Sequence, residues 1–256
     1  MKTVHKIVIG AGVLGATVGL VALSRRSSTN STPSAGLSSI PIKGPTTALT
    51  ARIPDAFFDT LAQAVAKWRA KGATLNGDDM LGAFNAESGV QTTTRNKYGY
   101  GGLNGMGADA LKAVGFDGTL DDYLKLDIVQ QLAYTITFYE KNVQQFAGGD
   151  YSVLSNTGRV YLINIFPAFI KKPDAFVIAQ KPSGGCNASS NDWYCANAGI
   201  DLAHKGWIEV ADMAPFVTKL ASDPRRGTPS RPNPAYFSEL RWRMREAENR
   251  LHGAFS

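Results

Sequence analysis

The stretch from Leu81 to Gly115 constrains this chain most. An apolar-periodic helix ends in Asn85-Ala86-Glu87-Ser88-Gly89, and a polar run leads into Tyr98-Gly99-Tyr100-Gly101-Gly102-Leu103-Asn104-Gly105-Met106-Gly107. Six glycines between Gly99 and Gly115 remove side chains that would hold a ligand away from the backbone. A carboxyl at a helix end thus faces a groove that suits a glycan chain. A single glutamate beside an uncharged groove fits general-acid cleavage of a glycosidic bond. Burial near Phe84 and Met106 would raise its pKa and keep it protonated near neutral pH. The competing reading of Glu87 is a solvated charge at a helix end. Glycosidases normally pair two carboxyls, yet no second one stands out. Asp109, on the following helix, reads as an exposed first-turn residue that favours the helix dipole.

The order of these pieces resembles the lysozyme-like lytic transglycosylases, especially those of phages. There, a Glu-Ser-Gly helix end precedes a Gly-x-x-Gly-Leu loop and a helix closing in Val-Gly or Leu-Gly. Here the pieces are Glu87-Ser88-Gly89, Gly99-Tyr100-Gly101-Gly102-Leu103, and Ala108 through Val114-Gly115. The likeness continues through residues 121–146 and Ile165-Phe166-Pro167-Ala168, and covers residues 55–215. It implies a mainly α fold, an α+β lysozyme-like domain with a small β-hairpin. It also implies a peptidoglycan lytic transglycosylase that cleaves the MurNAc-GlcNAc β-1,4 bond without metal or cofactor. Glu87 would act first as acid, then as base, while the substrate's own hydroxyl closes a 1,6-anhydro ring. Substrate contacts would come from Ser88, Tyr98, Tyr100, Gly102, Leu103 and Asn104. Tyr98 and Tyr100 suit stacking on sugar faces or packing of the hairpin.

Two departures from that pattern motivate an alternative. The glutamine that usually follows the Gly-Leu pair by two positions is Gly105 here, and the Ala-Tyr-Asn-Ala-Gly motif of many cellular members is absent. The alternative is a glycan-binding or structural virion protein on the same fold.

Charge is distributed unevenly along the 256 residues. Residues 1–54 carry six basic and no acidic side chains, residues 55–223 carry 14 basic and 18 acidic, and residues 224–256 carry seven basic and three acidic. The central region is mildly acidic, so capture of nucleic acid is not its task.

The first of the basic ends contains a run of 17 residues without a charge, Ile7 to Leu23. As a helix this run would span about 26 Å, enough for a transmembrane helix with some local thinning. Ala11, Gly15 and Gly19 have the small-xxx-small spacing of packed membrane helices. A cleaved signal peptide is the second reading. The third is a dinucleotide fingerprint at Gly10-Ala11-Gly12-Val13-Leu14-Gly15, which lacks the amphipathic helix, second strand and ribose-binding acid it needs. The expected organisation is therefore an anchor over 1–23, a flexible linker over 24–50, a catalytic domain over 51–222, and a Pro-rich linker with a basic helix over 223–256. In residues 24–50, 17 of 27 are Ser, Thr, Pro or Gly, which reads as a tether with a mean reach of about 30 Å. Such a protein would sit in a virion membrane or at a bacterial cell envelope, within reach of peptidoglycan.

Helical spacing runs through Phe57, Phe58, Leu61, Val65 and Trp68, and continues at Met80, Leu81 and Phe84. Residues 120–146 have room for one long helix, and residues 160–170 read as central. Tyr161 and Asn164 on that inner segment face either the groove or the core. A short hairpin is expected between Thr92 and Leu103.

Cys186 and Cys195 suit a disulfide closing a polar loop, or two reduced surface thiols. Residues 201–212 lay out like a calcium loop, with Asp201, Glu209 and Asp212 at positions 1, 9 and 12 and Gly206 at 6. Ala203 and Lys205 at positions 3 and 5 argue for a loop without metal, its acids neutralised by the lysine. The C-terminal helix spaces Leu240, Met244, Ala247 and Leu251 as an apolar stripe among arginines. It would pack on the domain or a neighbour, or meet a membrane surface or virion structural proteins.

Overall fold

The computed structural model describes residues 37, 49–186, 192–223 and 234–253. Its fold is mainly helical, with 60% helix and 5% strand. Among the described residues no helix is long and apolar enough to cross a membrane. This corrects the expectation of a fold preceded by a transmembrane helix. Residues 7–23, which carried that expectation and the lipid contact drawn from it, lie outside the described residues.

The core is organised around α2 (Gly77–Glu87). Asn76 caps it by accepting from Asp79 N–H, while the Asp79 carboxylate takes the Asn76 N–H, so two donors left over at the helix start are satisfied reciprocally. Against α2 pack α6 (Thr157–Ile165), α8 (Met213–Ser222) and α9 (Pro234–Gly253). On the outer side, α1 (Asp55–Arg69) lies between α9 and α5 (Ile128–Ala147). Its Phe57, Phe58, Leu61, Val65 and Trp68 are all buried, as their three- and four-residue steps predict.

The stretch 120–146 is two helices. Thr119 and Asp122 form a capping box for α4 (Leu120–Leu124), and Asp127 and Gln130 form another that starts α5. Two strong start signals so close together override the continuous apolar pattern. Helix α5 ends at Gly148, whose φ of 67° is the left-handed cap glycine adopts most easily. The short α3 (Ala108–Ala113) follows the glycine loop.

The hairpin expected between Thr92 and Leu103 is reduced to isolated bridges, Arg95 with Gly101 and Gly101 with Met106. Glycines in this segment weaken a ladder and permit turns instead. The two-stranded sheet lies elsewhere, where β1 (Val177–Gln180) pairs antiparallel with β2 (Trp207–Glu209). The short α7 (Trp193–Asn197) packs on β1.

Both ends of the described chain belong to the body. The apolar stripe of α9 is covered by α1 and α2, with Phe237, Leu240 and Met244 fully buried. Its arginines pair internally: Arg241 and Arg245 with Asp78 at 2.9 and 3.0 Å, Arg243 with Asp55, and Arg250 with Asp59. The stripe that was to meet a membrane or a virion protein is thus already occupied. Glu239, also buried, accepts from the N–H of Thr50 at 2.9 Å and from its hydroxyl at 2.6 Å. Leu37, assigned by sequence to the tether, is 5% exposed and sits against Gly82, where an added Cβ would meet Leu37 Cδ1 at 2.5 Å.

Candidate active site around Glu87

Glu87 is the last residue of α2, and the chain turns sharply after it. Ser88 closes the helix, Gly89 has φ 68° and Val90 has φ 58°. A left-handed β-branched residue costs roughly 1–3 kcal/mol and persists only where its surroundings enforce it. Burial of Val90, 1% exposed, together with the bond from Gln91 N–H to Ser88 Oγ at 3.1 Å, enforces it here.

The glycine loop is brought up to this turn by two clips. Ser88 Oγ donates to Leu103 O at 2.8 Å, joining the helix end to the loop. Gln131 on α5 accepts from Leu103 N–H at 2.8 Å through Oε1, while its Nε2 donates to Thr92 O and Tyr123 O at 3.1 and 2.9 Å. One amide therefore fixes three backbone segments. Two glycines are required by close approach. A Cβ on Gly102, φ 75°, would stand 2.5 Å from the Tyr123 ring, and one on Gly105, φ 60°, would stand 2.7 Å from Glu87 Oε2. The Glu87 carboxyl and the Gly105 backbone are in direct apposition.

Burial pushes the Glu87 carboxyl up to about 7, and a hydrogen bond from the Asn164 side chain only partly opposes it. Among the described residues no other acidic group contributes to that shift. Asn164, on α6, uses its amide fully, because Nδ2 also donates to Asn104 Oδ1 at 2.9 Å while Oδ1 accepts from Tyr139 O–H at 2.7 Å. Tyr139, on α5, is held well above its ordinary pKa by burial and by the Glu87 charge, so it stays a neutral donor. Asn104 Nδ2 is buried without a partner among the described residues. The result is a carboxyl with a proton available at neutral pH, supported from behind by a neutral polar network in which one amide donor is unused.

The sequence-predicted site residues divide by position. Glu87, Gly102 and Asn104 lie in this cluster or its loop. Ser88 and Leu103 are buried, at 1% and 0% exposure, and hold the loop through their polar atoms. Neither side chain is offered to a ligand. Tyr100 packs over Gly107, where an added Cβ would lie 2.6 Å from its ring. Tyr98 is 63% exposed at the loop tip with the Lys97 ammonium 4.9 Å from its ring centroid. Asp109 is exposed in the first turn of α3, as expected. Sequence reading left Asn164 between groove and core, and did not single out Tyr139 or Gln131. Each sits at an apolar-stripe position of its helix, and a polar residue at such a position was the available signal.

Away from Glu87, Cys186 and Cys195 are joined in a disulfide. In the calcium-like loop the Lys205 ammonium stands 2.9 Å from Glu209 Oε2 and 3.0 Å from both oxygens of Asp212. Asp201 is turned to the backbone N–H groups of Lys205 and Gly206 and the Tyr194 hydroxyl. The lysine therefore fills the position of a cation. The chain was compared with protein-family models, with curated proteins and with solved structures, and none of them matches it.

Proposed function

We propose that the protein is a glycan-cleaving enzyme of the lytic transglycosylase type, acting on the MurNAc-GlcNAc β-1,4 bond of peptidoglycan with Glu87 as its single acid and base. The observation that carries this reading is the Glu87 carboxyl, raised to about 7 by burial, pressed against the side-chain-free Gly105. In the first step Glu87 donates its proton to the glycosidic oxygen, and the bond from that oxygen to C1 breaks. In the second, the resulting carboxylate takes the proton of the sugar's C6 hydroxyl as that oxygen bonds to C1, closing the 1,6-anhydro ring. The proton returns to Glu87, and no water is consumed.

A carboxyl that acts in turn as acid and base works best with a pKa near the operating pH. The neutral Asn164–Tyr139 pair supports this by orienting the carboxyl without adding a charge that would lock it in one state. We assign the unused Asn104 Nδ2 donor to a bound sugar's acetamido oxygen. The setting we infer is a cell envelope or a virion's wall-penetrating apparatus, where a Cys186–Cys195 disulfide persists. The test is release of soluble fragments from purified sacculi by the wild type and by Glu87→Gln. Loss of release with retained sacculus binding supports the reading. Equal release by both removes Glu87 from the chemistry, and binding without cleavage by the wild type favours the scaffold alternative.

A further inference from the structure

We propose that Gln131 is a positioning residue for the reaction, holding the glycine loop at the distance from Glu87 at which the carboxyl works. This rests on the glycan-cleaving reading of Glu87. Gln131 lies on α5 and is fully buried, where an amide is costly unless its polar atoms are bonded. Both are bonded, and to backbone outside its own helix. Oε1 accepts from Leu103 N–H at 2.8 Å, and Nε2 donates to Thr92 O and Tyr123 O at 3.1 and 2.9 Å. Asn142, also buried on α5, donates to Phe138 O of its own helix, and its Oδ1 has no partner among the described residues.

The grip of Gln131 passes to Glu87 through a short, closed piece of chain. Leu103 is held on both sides, its N–H by Gln131 and its carbonyl by Ser88 Oγ at 2.8 Å, so α5 and the end of α2 clamp one residue. Beyond it the loop has little freedom. Gly105 N–H donates to Gly102 O at 3.3 Å, and Gly101 and Met106 exchange bonds of 3.0 and 2.9 Å. Where Leu103 sits therefore fixes Gly105, the residue apposed to the carboxyl. Clearance on the α5 side is small as well, since a Cβ on Gly102 would stand 2.7 Å from Gln131 Oε1. Without the amide the loop loses its tie to α5, and water gains the loop side of the carboxyl. Among the described residues the groups facing Glu87 from the helices are the Asn164 amide on α6 and the Tyr139 hydroxyl on α5, both neutral at pH 7. Solvation is then the change the carboxyl registers, and it opposes the upward push of burial.

The test compares two variants of the full chain. Gln131→Met keeps the volume and removes the loop bonds, whereas Asn142→Leu removes a buried amide of the same helix that has no bond to the loop. The NMR titration midpoint of the Glu87 carboxyl is read in each, with the maximal rate and half-saturating concentration for fragment release from sacculi. In Gln131→Met the midpoint should fall by about one pH unit and the maximal rate roughly 10- to 100-fold, with half-saturation changed far less. Asn142→Leu should leave midpoint and rate in place. If the methionine variant gives no cooperative melt, Gln131→Asn replaces it, too short by a methylene to hold Leu103 and both carbonyls at once, with the same shifts expected. An unchanged midpoint in a folded Gln131 variant overturns the positioning role, as does an equal shift in Asn142→Leu or a change in half-saturation alone. A lowered midpoint in Gln131→Met, beside a wild type that cleaves no glycan, would keep Gln131 as the residue that seats the loop on Glu87 and end the glycan reading.

Discussion

Gly105 and Glu87 face each other so closely that a methyl group on Gly105 would stand 2.7 Å from Glu87 Oε2. The glycine is thus a requirement of the carboxyl's position, and the glutamine expected at 105 from the family resemblance would collide with the acid. Gly105→Ala adds this clash to a φ of 60°. It should cost about 1–2 kcal/mol of stability and lower glycan cleavage at least tenfold, read by thermal melts and by fragment release. A fully active Gly105→Ala variant would show that the carboxyl works from a different position.

Glu87→Gln should make the protein more stable at neutral pH. A carboxyl raised from 4.5 to about 7 by burial favours folding least when ionised. The wild type therefore loses stability as pH rises from the unfolded value through the folded one. The amide variant escapes that loss, by roughly 3 kcal/mol above pH 7 and by almost nothing below pH 4. Melts of both proteins across this range check the sign. A variant that is less stable at pH 8 contradicts the burial of the acid.

In the proposed reaction the same shift sets the pH profile of cleavage. Because the first step needs a protonated Glu87, activity should fall as pH rises through about 7. Asn164 lowers that pKa through its hydrogen bond, so Asn164→Ala should move the alkaline limb to higher pH while lowering the maximal rate. A limb that moves to lower pH, or stays in place, would separate Asn164 from Glu87.

The helical spacing of α1 and α2, the helix-end glutamate and its glycine loop were legible in the sequence, because periodicity and glycine placement are local signals. The partners of Glu87 were not. Asn164 and Tyr139 come from helices α6 and α5, distant in sequence, and only packing shows that their polar atoms converge. The arginines of the C-terminal helix look like a solvated face in the sequence. Their partners Asp55, Asp59 and Asp78 lie on α1 and α2, far along the chain.

For the same reason the body should not tolerate removal of residues 1–51. That truncation deletes Thr50, leaving the buried Glu239 carboxylate without the donors that satisfy it, and it also empties the Leu37 seat. Stability should fall by about 3 kcal/mol. A truncated chain that melts with the wild type would assign both contacts no energetic role.

Calcium should leave the thermal midpoint unchanged, since the Lys205 ammonium already bridges Glu209 and Asp212. Reduction of Cys186–Cys195 should lower it by roughly 4 to 8 °C, for a loss near 2 kcal/mol in a chain of this size. Destabilisation by a chelator, with no effect of reductant, would reverse both assignments.

Product masses test most directly the proposal that one carboxyl, without a second, cleaves glycan by intramolecular ring closure. Purified peptidoglycan digested by the wild type should yield muropeptides ending in 1,6-anhydro rings, lighter by one water than hydrolysis products, and Glu87→Gln should yield none. Products with reducing ends would make the protein a hydrolase with a water-activating group yet to be found. Intact strands after prolonged incubation with a folded, glycan-binding wild type would contradict catalysis altogether.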